Sequence, residues 1–472
     1  MNQYFWQTDV LANCYADNVA LSCAQTGRQL SYKELEAAIK LAQQSLAIDK
    51  KLLVLIKAKP SIDFVVYYLA CLRIGHTAWL IDPETSQLVL DNWFERYQFD
   101  MVIDDGNLFW RKTSQPIDTP IADNLALLLS TSGSTGSAKL VKLSVENIAS
   151  NCQAICTYLP IKGTAITTLP FHYSFGLSIL HTHLASGAQL VLSASSIVTK
   201  DFWQLFELHQ AHCFYGVPHQ FAMLSRLGLA RLKLHCLEYF AVAGGKLPEK
   251  YAEELAIWCH DNHKQLFIMY GQTEATARIS YLPPNKALAK PNSIGQAIPN
   301  GKLWLLDNKG CLITEPKKKG QLYYQGKNVM LGYAQQRDDL VVTESSEQLA
   351  TGDLAYFDDD GDFYITGREK RIAKAQGIRI NLDEIEQYIV EQNSQIESVA
   401  VIELDEKLFV LLVWPGATEL DSKALKSALG QFLKLHGSML VVRLLTSLPR
   451  LSSGKVDYAS ITAQCLKGDC SD

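Results

Sequence analysis

No apolar run in the sequence approaches the ~20 residues needed to span a bilayer, so no membrane span is expected. The first residues, Met1-Asn2-Gln3-Tyr4-Phe5-Trp6, lack the basic stretch followed by an apolar stretch that marks a secretory signal. An excess of positive charge is also missing: 44 Lys and Arg stand against 49 Asp and Glu, a net charge of −5. That balance excludes non-specific nucleic-acid binding, which needs concentrated cations to displace counterions. Charged residues make up only 20% against 48% hydrophobic, which excludes a disordered chain. A disulfide framework is not expected either, because 11 Cys are scattered over 472 residues, a pattern suited to the reduced cytoplasm. Cys259, His260 and His263 come nearest to metal spacing. On a helix His260 and His263 share a face, but with no second cluster nearby an amphipathic helix surface is expected. The acidic run Asp358–Asp362 lacks EF-hand ligand spacing and flanking helices, and is expected to be a hairpin turn.

What is present is alternation. Between about residues 120 and 280, short apolar runs such as Leu125–Leu129, Gln189–Leu192 and Tyr239–Val242 alternate with helical patterns. The helical patterns include Ser144–Tyr158, with Ser144 as N-cap, and Ser174–Ala185. Such alternation predicts parallel sheets covered by helices. From about 285 short β segments and turn signals take over, and near Arg368 a strand–helix–strand–strand–helix–strand order begins. The fold class expected is α/β. A large N-terminal domain (1–367, β-rich from about 285) precedes a hinge at 368–370 and a small mobile α+β domain at 371–472.

Chemistry concentrates in Ser130-Thr131-Ser132-Gly133-Ser134-Thr135-Gly136-Ser137-Ala138-Lys139, which follows a buried strand and is expected to precede a helix. Glycines let a backbone approach an anion, hydroxyls and N–H groups donate to it, and Lys139 adds a charge. It is not a Walker A loop, in which Lys directly follows the last Gly.

The loop resembles the signature of the adenylate-forming superfamily, which includes acyl-CoA synthetases, adenylation domains of nonribosomal peptide synthesis, and luciferases. Ala138 and Leu140 replace the usual Pro and Gly without removing a charge or hydroxyl. Further motifs follow in the family's order: Gly244-Gly245, Tyr270-Gly271-Gln272-Thr273-Glu274, Thr351-Gly352-Asp353, Gly367-Arg368-Glu369-Lys370, Gly377-Ile378-Arg379 and Ser453-Gly454-Lys455. The resemblance implies nucleotide binding by Thr131, Ser132, Gly133, Ser134, Thr135, Gly136, Gly244, Gly245, Tyr270 and Gly271. It implies that Asp353 holds the ribose, that Arg368 touches the nucleotide, that Thr273 meets the α-phosphate and that Glu274 holds Mg²⁺. Lys139 and Lys455 are then catalytic cations, Lys370 is the pivot of a domain rotation, and Gly377 lines a thiol tunnel.

The resemblance places His172, Phe175 and Gly176 along an acyl pocket. Amino-acid-activating relatives carry an Asp in this segment for the α-ammonium, and here there is none. An unpaired ammonium is costly to bury, so an acid without an α-amine is favoured. The expected activity is an AMP-forming acid–thiol ligase that uses ATP and Mg²⁺. The acyl group passes to CoA or to the phosphopantetheine of a separate acyl or peptidyl carrier protein. The alternative is a stand-alone amino-acid adenylation enzyme. A nucleotide-binding regulator that has lost the reaction is disfavoured by the joint presence of Glu274, Asp353 and Lys455.

Overall fold

A computed structural model describes residues 5–111, 119–130, 139–341, 343, 346–375, 378–393, 395–404, 407–433, 435–452 and 454–466. Two compact units emerge: Met1–Leu303 with Tyr324–Leu349, and Trp304–Tyr323 with Ala350–Asp472.

The first unit holds two large sheets. In the nine-stranded sheet, Gln265–Tyr270, Tyr239–Val242, Cys213–Gly216, Thr164–Ile166, Gln189–Leu192 and Val19–Cys23 run parallel in that order, with antiparallel strands at both edges. The seven-stranded sheet centres on Leu125–Ser130, Thr77–Ile81, Leu53–Lys57 and Met101–Asp104, also parallel. Apolar side chains of both sheets join one core with the helices Tyr32–Leu46, Ile62–Arg73, Val145–Tyr158 and Ser174–Ala185. The helix Ser174–Ala185 is buried from Ser174 through Leu184, and its Ser178, Thr182 and His183 side chains bond carbonyls of the helix itself. Ser144 caps Val145–Tyr158 through the Asn147 N–H, as its place before the helical pattern suggests.

Two local expectations change. The loop after Leu125–Ser130 leads into an antiparallel strand, Leu140–Ser144, and only then into the helix. The strands that flank the Ser/Gly segment are antiparallel partners, so a strand and not a helix follows Lys139. The helix Glu249–Asp261 ends before His263, which takes a left-handed φ of 54°. His260 and His263 therefore do not share a helical face, while Cys259 is buried.

The second unit contains a three-stranded sheet of Ser398–Leu404, Lys407–Val413 and Leu440–Leu444. Alternate residues feed different cores: Val399, Val401, Val410 and Leu412 on one face, Ala400, Ile402, Leu411 and Val413 on the other. The strand Phe363–Arg368 pairs with Gln348–Phe357 across the turn at Asp358–Asp362, where Gly361 N–H bonds the Asp358 carbonyl. Glu386, on the helix Leu382–Gln392, is mostly buried and accepts from Arg371 Nη2 (2.5 Å), Val401 N–H (2.7 Å) and the Tyr458 hydroxyl (2.9 Å). Glu386→Ala leaves the Arg371 guanidinium partly uncompensated and should cost about 3 kcal/mol. Urea unfolding should show a lowered midpoint, and an unchanged midpoint contradicts a structural role for this cluster.

No helix among the described residues is long and apolar enough to cross a membrane. No disulfide joins the described cysteines.

Candidate active site

Parallel strands present their C-terminal ends on one edge of a sheet, where α/β folds bind ligands. In the nine-stranded sheet that edge collects three of the segments singled out above. Tyr270 ends its strand and is followed by a 3-10 turn, Thr273–Ala275. Gly244 follows Tyr239–Val242, and His172–Phe175 follows Thr164–Ile166.

Side chains tie these segments together. The Thr273 and Ser174 hydroxyls lie 3.4 Å apart. Gly244 has φ +90°, and a Cβ there would strike the Tyr173 hydroxyl, so glycine is demanded twice over. A Cβ on Gly271 would collide with the Ala277 carbonyl, which brings the Tyr270–Arg278 segment back on itself. Gln272 Nε2 donates to the Tyr270 hydroxyl at 3.1 Å, which holds the half-buried ring at the strand end.

Glu274 accepts from the Tyr333 hydroxyl at Oε1 (3.0 Å), and the Lys139 ammonium stands 3.4 Å from the Tyr333 ring centroid. Lys139 and Glu274 are thus bracketed on one aromatic ring. Burial and the Glu274 carboxylate both raise the Tyr333 pKa, so the phenol remains a donor at neutral pH. Glu274 Oε2 has no hydrogen-bond donor among the described residues. A half-buried carboxylate oxygen in that condition fits a hard cation such as Mg²⁺. Tyr333 did not emerge from the sequence, because it lies in a short edge strand, Tyr333–Ala334, far along the chain from Glu274.

In the acyl segment, His172 Nε2 lies 3.5 Å from Asp82 Oδ2. Burial lowers the His172 pKa and the Asp82 charge works against that. The carboxylate missing from the segment itself therefore exists nearby, contributed by the turn after Thr77–Ile81. Phe175 is buried, and Gly176 lets its helix pack on the Leu169 and Pro170 carbonyls.

The second unit carries the remaining described residues. Asp353 is only 3% exposed and pairs with Arg368 Nε at 3.1 Å across the hairpin. Two residues assigned separately to the nucleotide are therefore coupled to each other. Thr351 Oγ1 donates to the Leu322 carbonyl and accepts from Asp353 N–H, so it fixes the strand. Lys370 lies in the 3-10 turn Glu369–Arg371. Lys455 sits in a tight loop closed by Leu451 N–H to its own carbonyl (2.9 Å), with Gly454 at φ +80°. Thr131, Ser132, Gly133, Ser134, Thr135, Gly136 and Gly377 lie outside the described residues.

Comparison with known proteins gives a consistent picture. The profile of a family described as AMP-binding enzyme matches residues 89–334, slightly more than half the chain. Luciferin 4-monooxygenase of Photuris pensylvanica is 27% identical over 71% of this chain and 63% of its own. The hybrid PKS-NRPS synthetase TAS1 of Cordyceps militaris is 25% identical over 95% of this chain, which spans only 30% of that protein. The L-proline--[L-prolyl-carrier protein] ligase of Pseudomonas fluorescens is 26% identical over 92% of this chain and 94% of its own. Among solved structures, the O-succinylbenzoate coenzyme A synthetase of Bacillus subtilis in complex with AMP superposes with TM-score 0.78 at 21% identity, covering 97% of this chain and 98% of that one. The ATP-bound MatB of Rhodopseudomonas palustris gives TM-score 0.79 at 20% identity with the same coverage, 97% and 98%. The two structural likenesses establish a shared α/β fold over nearly the whole chain.

Proposed function

Because the chain belongs to the AMP-binding enzyme family, within the adenylate-forming superfamily, we propose that it is an AMP-forming acid–thiol ligase. The observation that carries this is the strand-end cluster: Thr273 beside Ser174, and Glu274 and Lys139 set on opposite parts of Tyr333. Hydroxyl donors and a carboxylate at the strand ends of one sheet, met by an ammonium on the edge-strand Tyr333 of the other, suit a polyphosphate and its counter-ion.

In the first step a carboxylate oxygen of the acid attacks the α-phosphorus of ATP, the bond to pyrophosphate breaks, and an acyl-adenylate forms. The acid is already ionised at neutral pH, so no general base is required. Thr273 and Ser174 donate to the α-phosphate, Tyr270 offers its ring to adenine beside Gly244 and Gly245, and Lys139 and the Thr131–Gly136 loop neutralise the outer phosphates. Asp353 accepts from the ribose hydroxyls, with Arg368 holding the carboxylate in place. Glu274 would hold Mg²⁺, which when bound supplies positive charge to the phosphates. Lys455 supplies a further cation to the reacting oxygens.

In the second step a thiol gives up its proton, its sulfur attacks the adenylate carbonyl, and AMP leaves. The thiol belongs to CoA or to a separate carrier protein, Gly377 lines its approach, and the reaction takes place in the cytoplasm. Residues 368–370 serve as the hinge between 1–367 and 371–472, with Lys370 as pivot; that residue falls inside the second compact unit.

Acid-dependent ATP–pyrophosphate exchange across pooled carboxylic acids, with amino acids pooled separately, tests this. Exchange with an unaminated acid is expected. Exchange with amino acids alone establishes the carrier-loading alternative, and silence in every pool from protein that binds ATP contradicts an active ligase.

A further inference from the structure

Arg278 is 3% exposed and lies just after Glu274, beside the acyl segment. A guanidinium does not shed its proton in a protein, so this is a permanent buried charge. Burying such a charge costs several kcal/mol unless an anion answers it. None does among the described residues. Nη1 donates to its neighbour's carbonyl on Ala277 at 3.3 Å, and Nε points at the Met269 sulfur at 3.4 Å. The face of the group rests on the Phe175 ring, 4.0 Å from its centroid. The Tyr158 hydroxyl is a further hydrogen-bond partner of the guanidinium, and no carboxylate among the described residues joins it.

The fold treats Arg337, the other buried arginine among the described residues, differently. Arg337, 5% exposed, has Asp100 at 3.7 Å and donates to the Gln98 and Thr119 carbonyls. Arg278 has aromatic neighbours and one poor carbonyl contact instead, and burial depresses its pKa with only tyrosines acting against that. Its position is equally informative. Phe175 is the residue after Ser174, whose hydroxyl meets Thr273 where the α-phosphate is placed above. The guanidinium therefore rests on the side chain next in sequence to Ser174, within the acyl segment.

We propose that Arg278 binds a second carboxylate on the acid that this site activates, so that the preferred substrates are dicarboxylic. The inference rests on the adenylation chemistry proposed above and adds the substrate class. One carboxylate reacts at the Thr273 end, and the other forms a desolvated pair with the Arg278 guanidinium. The same cation repels an α-ammonium, in keeping with an unaminated acid.

The test compares wild type with Arg278→Met and Arg278→Lys. The probes are malonate, succinate, glutarate, adipate and phthalate, each beside its counterpart with the second carboxylate replaced by a methyl group or hydrogen. Two quantities are read: acid-dependent pyrophosphate exchange, and direct calorimetric binding of each acid. ATP affinity checks that the variants are folded. Wild type should favour at least one diacid on the order of a hundredfold in kcat/KM. Arg278→Met should abolish that preference with ATP affinity intact, and Arg278→Lys should restore part of it. Exchange that favours the monoacids, or equal loss with both acid types in Arg278→Met, overturns the inference while adenylation stands. Diacid binding that depends on Arg278 without any exchange supports the carboxylate site and removes the adenylation chemistry. Absence of both exchange and Arg278-dependent binding overturns both.

Discussion

Lys455→Ala lowers acid-dependent ATP–pyrophosphate exchange by roughly 10²–10³-fold, the usual loss when one preorganised charge donor is removed from a developing anion. Transfer to a thiol from chemically prepared acyl-adenylate stays within about threefold of wild type, because the bond between carboxylate oxygen and phosphorus that the lysine helps to form already exists in that substrate. The backbone supports a positioned side chain here. Gly454 turns the chain at φ +80°, Leu451 N–H closes the loop on the Lys455 carbonyl, and Arg450 Nη1 holds the Gly454 carbonyl at 3.1 Å. Quenched-flow measurement of each half-reaction separates the two effects. Equal loss in both contradicts the assignment of Lys455 to adenylation alone.

Glu274→Gln is the second large effect. The amide oxygen can still accept from Tyr333, so the 3.0 Å contact survives and the turn Thr273–Ala275 keeps its shape. What disappears is the negative charge facing a hard cation. Exchange should fall about 10²-fold, and the Mg²⁺ concentration for half-maximal rate should rise well above that of wild type. Titration of exchange rate against Mg²⁺ distinguishes this from a fold defect. A reduced rate with an unchanged Mg²⁺ midpoint contradicts metal holding by Glu274.

Local pattern was enough for much of the scaffold. The all-apolar stretch at Leu125–Leu129 is a strand buried along its length, and the helix limits at Ser174 and Ala185 coincide with those expected. Where local pattern failed, a distant partner decided. Lys142 sits in the strand Leu140–Ser144, buried, because its ammonium reaches the Asp339 carbonyl at 2.8 Å; in the sequence it only interrupts an apolar run. His263 leaves its helix because the chain turns left-handed after Asp261.

The site divides the same way. Motif residues were legible because their type and order carry the chemistry: Tyr270, Thr273 and Glu274 gather at a strand end as expected. Their partners were not. Tyr333 on Glu274, Asp82 on His172 and Phe175 under Arg278 are contacts between segments far apart in the chain, and Arg368 meets Asp353 only through the register of a hairpin. Arg278 left one signal in the sequence, a single cation in an otherwise uncharged run from Ala275 to Leu282, and only its burial gives that signal meaning.

The central claim is that the acid's own oxygen attacks the α-phosphorus of ATP. It is tested most directly by running the reaction with an accepted acid carrying ¹⁸O in its carboxylate and reading the released AMP by mass spectrometry. Attack at the α-phosphorus predicts one ¹⁸O atom in the phosphate of each AMP formed and none in pyrophosphate. Label in inorganic phosphate, or AMP without label, contradicts it.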